Sequence, residues 1–177
     1  MDSPWGSLPA SFADQAVLAV YIFALVFAAL SDLVSLKIPN WLTGALALAF
    51  PIGALIAAHG FANVDWLSHV EAGVAVFAGA TALFACRLLG GGDVKLLGAM
   101  GLWCGLHLIV PLLLLVALIG GVFGLVVLGL RQPLVQTSII AVIRCVPAFL
   151  TERMPIPYGI PIAIAGIVMA PRLPFLA

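Results

Sequence analysis

Charge is what this sequence has least of. Seven Lys and Arg stand against seven Asp and Glu among 177 residues, and the formal net charge is zero. Nucleic acid binding rests on a concentrated basic surface, so the balance gives no electrostatic case for such a partner. Cysteine is scarce as well. Cys86, Cys104 and Cys145 stand apart with no C-x-x-C pair, which argues against a zinc ribbon or a redox centre and leaves them as small buried hydrophobes. No basic region precedes the first apolar run: Met1-Asp2-Ser3-Pro4-Trp5 lacks the positive start of a cleaved signal, so that run is expected to stay in the mature protein. His59, His69 and His107 have no nucleophile beside them, and no Ser-His-Asp or Cys-His set emerges.

What is abundant is apolar surface. Hydrophobic residues make up 64% of the chain, and mean hydropathy is +1.28. Such a composition belongs to a multi-span membrane protein and not to a soluble domain. The run from Gln15 to Ser31 carries no charge and ends at Asp32, long enough with its flanks to cross a bilayer. Pro39 disfavours helix at Ile38, and Asn40 suits the cap of a second span over Trp41–Ala58. A polar loop over 59–71 leads to a third span, Val70–Leu88. The next stretch, Leu96 to Leu130, is free of charge for 35 residues, too long for one upright helix. A split is expected near Cys104–Pro111, around Gly105, His107 and Pro111, which makes the fourth helix short, tilted or only partly crossing. An interfacial amphipathic helix is expected over Ser138–Leu150. A last span over Pro155–Ala170 starts with broken backbone at Pro155, Pro157, Gly159 and Pro161.

Lys37, Arg87, Lys95, Arg131, Arg144 and Arg153 fall in alternate connections, with Arg172 the sole exception. The positive-inside rule then predicts an all-α integral membrane protein: one domain over residues 1–177, a six-transmembrane-helix bundle, N-out and C-out.

The chain is organised around Gly90-Gly91-Gly92-Asp93-Val94-Lys95, set between apolar runs. A charge near the bilayer centre costs about 2.5–3.5 kcal/mol, so one is seldom accidental. Asp93 stands where a helix should begin, as an N-cap. Asp32 ends span one and Asp93 begins span four, both at the cytoplasmic end. They read as the only acids embedded in apolar sequence, with Asp2, Asp14, Asp65, Glu71 and Glu152 assigned to polar connections. Two carboxylates at one depth can share a proton and hold a water. One takes a proton from that water while its neutral partner polarises a peptide carbonyl. Spacing alone leaves other readings open: capping or anchoring acids, the relay of a small proton- or ion-coupled transporter, or a non-catalytic assembly subunit. A transporter fits less well, because the bundle shows no repeat and both acids lie at one face instead of the midplane.

Three motifs carry a resemblance. Gly90-Gly91-Gly92-Asp93-Val94-Lys95-Leu96-Leu97 matches the GxGD-x-K-L-L pattern of type IV prepilin peptidases; Asp32 with Lys37-Ile38-Pro39-Asn40 resembles their first aspartate and following I-P-N; Pro157-Tyr158-Gly159 is similar to their late P-[FY]-G motif. The resemblance implies an intramembrane aspartic endopeptidase of the bacterial inner membrane. Asp32 and Asp93 would be its catalytic pair, and a prepilin leader would be cut at the cytoplasmic face. It implies no cofactor and no metal, and as partners a prepilin and the lipid. Larger members carry paired cysteines in an N-terminal region and also methylate the new N-terminus. This sequence has neither and is similar to the short enzymes of tight-adherence (Flp) pilus systems, so peptidase without N-methyltransferase activity is expected. Supporting roles follow more loosely. Lys37 and Lys95 tune the pair, meet lipid phosphate or simply snorkel. Gly90 and Gly92 shape the turn and leave room for an extended substrate strand. Pro39 and Asn40 stop and restart helices, and Tyr158 is a hydrogen-bonding neighbour of the pair or an interfacial aromatic. Trp41 and Trp103 read as packing or belt residues.

Overall fold

The first apolar run folds as α1 (Phe12–Ser35), and one stripe of it turns inward: Asp14, Val17, Tyr21, Leu25, Ala28 and Asp32. Their spacing of three and four residues is the inner face of an amphipathic helix. Asp32 belongs to that stripe, so the periodicity that packs α1 also aims its carboxylate at the bundle. The computed structural model describes residues 12–57, 61–132 and 156–174, and every regular element among them is helical.

α2 (Asn40–Ala57) carries Pro51 inside it. α3 (Trp66–Ala85) starts one turn before the expected Val70, because the Asp65 carboxylate accepts the Ser68 N–H at 3.2 Å and caps the helix there. α4 (Gly91–Leu130) leaves helical geometry at Gly105, with φ 64° and ψ 177°. This left-handed position falls within the split expected from sequence and is one that glycine occupies without steric cost. It divides α4 into arms over 91–104 and 106–130. The groups freed at the break are bonded by α3: His69 Nδ1 donates to the Leu102 carbonyl at 2.7 Å, and the Ser68 hydroxyl accepts the Leu106 N–H at 3.0 Å. The first arm advances about 18 Å from Asp93, and the second covers about 22 Å from Gly105 to Gly120. Gly120 nevertheless lies against Tyr158, which borders the same cavity as Asp93. The chain therefore reverses at Gly105. After a gap in the described residues, α5 (Gly159–Met169) runs into a 3₁₀ turn, Ala170–Arg172.

α3 packs on the first arm of α4, and α5 packs against both α1 and α4. Small residues permit the α3–α4 approach: a Cβ on Gly101 would stand 2.9 Å from the Ala72 carbonyl oxygen and from the Gly73 Cα. Tyr21, Leu25, Leu96, Met100, Trp103 and Ile162 fill the centre. The Trp103 Nε1–H donates to the Leu46 carbonyl at 2.9 Å, and its ring centre lies 4.7 Å from that of Tyr21. Trp103 is thus a packing residue, whereas Trp41 is exposed beside Phe27. The outside is apolar too, with Phe23, Leu48, Val74, Leu118 and Leu125 exposed, which a water-facing surface would not tolerate. Among the described residues, four helices, α1 to α4, are long and apolar enough to cross a membrane, and α5 is shorter.

Three expectations are corrected. Asp93 is not an N-cap but lies in the first turn of α4, because the glycines before it already take up the helix, which begins at Gly91 with Gly90 as cap. Asp14 is no polar lead-in residue. It lies buried in the first turn of α1, on the same inward stripe as Asp32. Glu71 likewise lies within α3, on its exposed side. The helix expected over Ser138–Leu150 falls outside the described residues, as do Cys145, His59 and the charges Asp2, Arg144, Glu152 and Arg153.

Candidate active site

Three helix ends build the site. α1 delivers Asp32 in its last full turn, α4 delivers Asp93 in its first, and α5 begins at Gly159 beside them. Asp32 and Asp93 are 6% and 7% exposed, and both line one cavity of about 320 Å³. Leu36, Arg87, Leu88, Leu89, Gly90, Ile156, Pro157 and Tyr158 complete its wall. Each carboxylate is held by one backbone donor. The Gly159 N–H donates to Asp32 Oδ2 at 2.8 Å, a contact spanning 127 residues, and the Gly90 N–H donates to Asp93 Oδ2 at 3.2 Å. A carboxylate has about four acceptor positions, so capacity remains on both for water or a peptide.

The glycine at 159 is required by this contact. A Cβ there would stand 2.8 Å from Asp32 Oδ2 and 2.9 Å from Asp32 Cβ. The late Pro-Tyr-Gly motif therefore acts on the first aspartate. Pro157 is fully buried, and Tyr158 lays its ring against Gly120 of the second α4 arm while it borders the cavity.

The other sequence-nominated residues gather next door. Lys95 Nζ donates to Asn40 Oδ1 at 2.8 Å, joining the first two motifs, and both residues line a separate groove of about 420 Å³ among α2, α3 and α4. Gly92 lets Ile38 come close, with 3.1 Å between a would-be Cβ and the Ile38 Cβ. The Pro39 carbonyl accepts the Leu42 and Thr43 N–H groups at the start of α2. Lys37 is exposed, and its carbonyl accepts the Ser31 and Ser35 hydroxyls, closing the α1–α2 turn. Lys37, Pro39, Asn40, Gly92 and Lys95 thus shape the surroundings without lining the aspartate cavity.

Leu36, Arg87, Leu88, Leu89 and Ile156 of the wall were not nominated from sequence, and for the first two there is a physical reason. Leu36 and Arg87 each follow a helix end with positive φ, 52° and 60°, where glycine or asparagine is the usual signal. Nothing in the sequence marks either position. Among the described residues, no three His, Cys, Asp or Glu gather as metal ligands.

A helical bundle with an apolar exterior that closes two acids from distant helices over one cavity defines a class: membrane-embedded proteins with a paired-carboxylate site. The narrower assignment comes from comparison. The family model of the type IV leader peptidases matches residues 19–125, more than half of the chain, and the chain belongs to that family. The prepilin leader peptidase/N-methyltransferase of Xanthomonas campestris pv. campestris is 37% identical over 78 residues, which are 44% of this chain and 21% of that protein. The chain is thus matched to about a fifth of the length of this curated relative. No solved structure matches it.

Proposed function

We propose that this chain is an intramembrane aspartic endopeptidase that removes the leader of prepilins of the type IV or Flp kind, with Asp32 and Asp93 as its catalytic pair. The observation that carries the reading is the shared cavity: two nearly buried carboxylates from α1 and α4, each steadied by one backbone N–H and each with acceptor capacity left. Family membership and the name of the Xanthomonas relative support the reaction and the substrate class.

The chemistry follows from one ionised and one neutral carboxyl. The ionised group takes a proton from a water held between them, and the resulting hydroxide attacks the peptide carbon. The neutral partner gives its proton to the carbonyl oxygen, so a neutral tetrahedral diol forms. Collapse of the diol breaks the C–N bond as the carboxyl that took the water's proton passes it to the leaving nitrogen and the other, now ionised, carboxylate takes a proton from a diol hydroxyl. The products are a carboxylic acid on the leader and a free amine on the mature protein. Asp32 and Asp93 leave this cycle as they entered it, with one proton shared between them.

Orientation is part of the proposal. Lys37, Arg87 and Arg131 follow helix ends on the aspartate side, Lys95 lies near the start of α4 two residues after Asp93, and Arg172 follows the opposite end of α5. That distribution supports a cytoplasmic aspartate end in the bacterial inner membrane. With the α4 arms counted separately, we read six crossings and both termini outside.

The test is co-expression with a prepilin. Wild type should produce a leader-sized mobility shift, and Asp32→Asn and Asp93→Asn should each abolish it while the proteins still insert. Processing that survives in either variant removes that residue from catalysis. Adding S-adenosylmethionine to the purified reaction checks the accompanying expectation that the new N-terminus stays unmethylated.

A further inference from the structure

Arg87 stands at the cavity in a conformation its residue type does not favour. α3 ends in a Schellman-type turn, with the Leu88 N–H bonded to the Leu83 carbonyl at 3.0 Å and the Arg87 N–H to the Phe84 carbonyl at 2.9 Å. The left-handed position of such a turn is ordinarily glycine. Here three glycines follow at 90, 91 and 92, yet position 87 is arginine. α1 also ends on a non-glycine residue of positive φ, Leu36, whose N–H donates to the Asp32 carbonyl at 2.9 Å. Among the described residues, Leu36 and Arg87 are the two non-glycine positions with positive φ, and both line the aspartate cavity. Unfavourable backbone geometry retained twice around one cavity points to side chains kept for what they touch.

The Arg87 side chain is exposed, and among the described residues its guanidinium has no hydrogen-bond or ion-pair partner, neither Asp32 nor Asp93. It is a donor-only group with five N–H bonds. A peptide bond can reach two carboxylates only when its own helix has opened, and opening strips carbonyl oxygens of their partners, which is costly away from water. We propose that Arg87 is a substrate-positioning residue. Its guanidinium donates to backbone carbonyl oxygens of the opened peptide strand next to the cut, holding the scissile bond against Asp32 and Asp93. This rests on the peptidase reading above.

The position itself supplies a sharp test, since glycine there relaxes the fold while it deletes the donor. The purified full chain, Arg87→Gly and Arg87→Lys are compared on a prepilin in neutral detergent, where no lipid phosphate competes for the guanidinium. Arg87→Gly should melt at or above the wild-type temperature. Its KM should rise about tenfold with kcat little changed, the loss of one charge-assisted hydrogen bond made to bound substrate. Arg87→Lys should recover part of that affinity. An unchanged KM overturns the inference, as does a KM rise matched by a lower melting temperature. An effect confined to kcat with a displaced pH profile also overturns it, because Arg87 would then act on the carboxylates. If wild type cuts and Arg87→Gly cuts equally well, the inference alone fails; if wild type does not cut, the peptidase reading falls first.

Discussion

Gly159→Ala adds a single methyl group, and the structure says where it must go. The new Cβ would stand 2.8 Å from Asp32 Oδ2, 2.9 Å from its Cβ and 3.1 Å from its Cγ. The Asp32 Cβ is fixed to the α1 backbone, so rotation of the carboxylate alone does not relieve the contact. Either Asp32 leaves its rotamer, at about 0.5–1.5 kcal/mol, or α5 backs away and stretches the 2.8 Å hydrogen bond from the Gly159 N–H. A hydrogen bond to a charged group contributes about 1.5–3 kcal/mol, so misplacing Asp32 should cost about 2 kcal/mol in the transition state. At 1.36 kcal/mol per tenfold, the expected cleavage rate is about thirtyfold lower. Folding bears the same strain, offset only in part because alanine is a better helix former than glycine by up to about 1 kcal/mol, so the melting temperature should fall modestly. The assay is initial-rate cleavage of a prepilin in proteoliposomes, beside a thermal melt followed by helical circular dichroism. Gly79→Ala is the control, because nothing lies within 4 Å of a Cβ at that position. Cleavage by Gly159→Ala at the Gly79→Ala rate would refute the claim that this contact positions Asp32.

Three further substitutions probe the scaffold. Gly105→Ala should destabilise by about 1–3 kcal/mol, because φ 64° with ψ 177° is a backbone state essentially confined to glycine and its methyl would also press on the His69 ring and Ser68 hydroxyl at 3.3 Å; a denaturant melt against Gly121→Ala, which meets open space, measures it. Gly101→Ala should lower the melting temperature more than Gly79→Ala does, since at position 101 the methyl meets backbone of α3 and no flexible side chain can give way. Trp103→Phe deletes the indole hydrogen bond to the Leu46 carbonyl and should cost about 0.5–1.5 kcal/mol of stability while the cleavage site on the substrate stays the same, read by a melt and by mass spectrometry of the product.

Much of this could be read from the residues, and the misses share a cause. The stripe through Tyr21, Leu25 and Asp32 is a local periodicity, and a charge inside an apolar run is conspicuous, so the two aspartates stood out before any fold was known. The split of the long apolar run was also legible, since Gly105 offers a backbone state that its neighbours lack. Asp14 was misplaced because the helix was expected to begin with the charge-free run at Gln15, although α1 starts at Phe12 and the inward stripe extends back to Asp14. The N-cap expectation for Asp93 failed because three glycines give no local signal for where helix begins. Leu36 and Arg87 escaped notice because their left-handed conformation runs against their residue type. The bond from Gly159 to Asp32 crosses 127 residues, and only the assembled bundle brings those two together.

The one-residue reversal at Gly105 bears on how the chain gets into the membrane. Nothing hydrophilic separates the two arms of α4, so the pair can slip in sideways as a ready-folded hairpin, with no soluble segment to drag through the oil. The corner is clasped by Ser68 and His69 of α3, which leaves the ribosome earlier. The helix made first thus acts as the jig on which the next two are bent to shape.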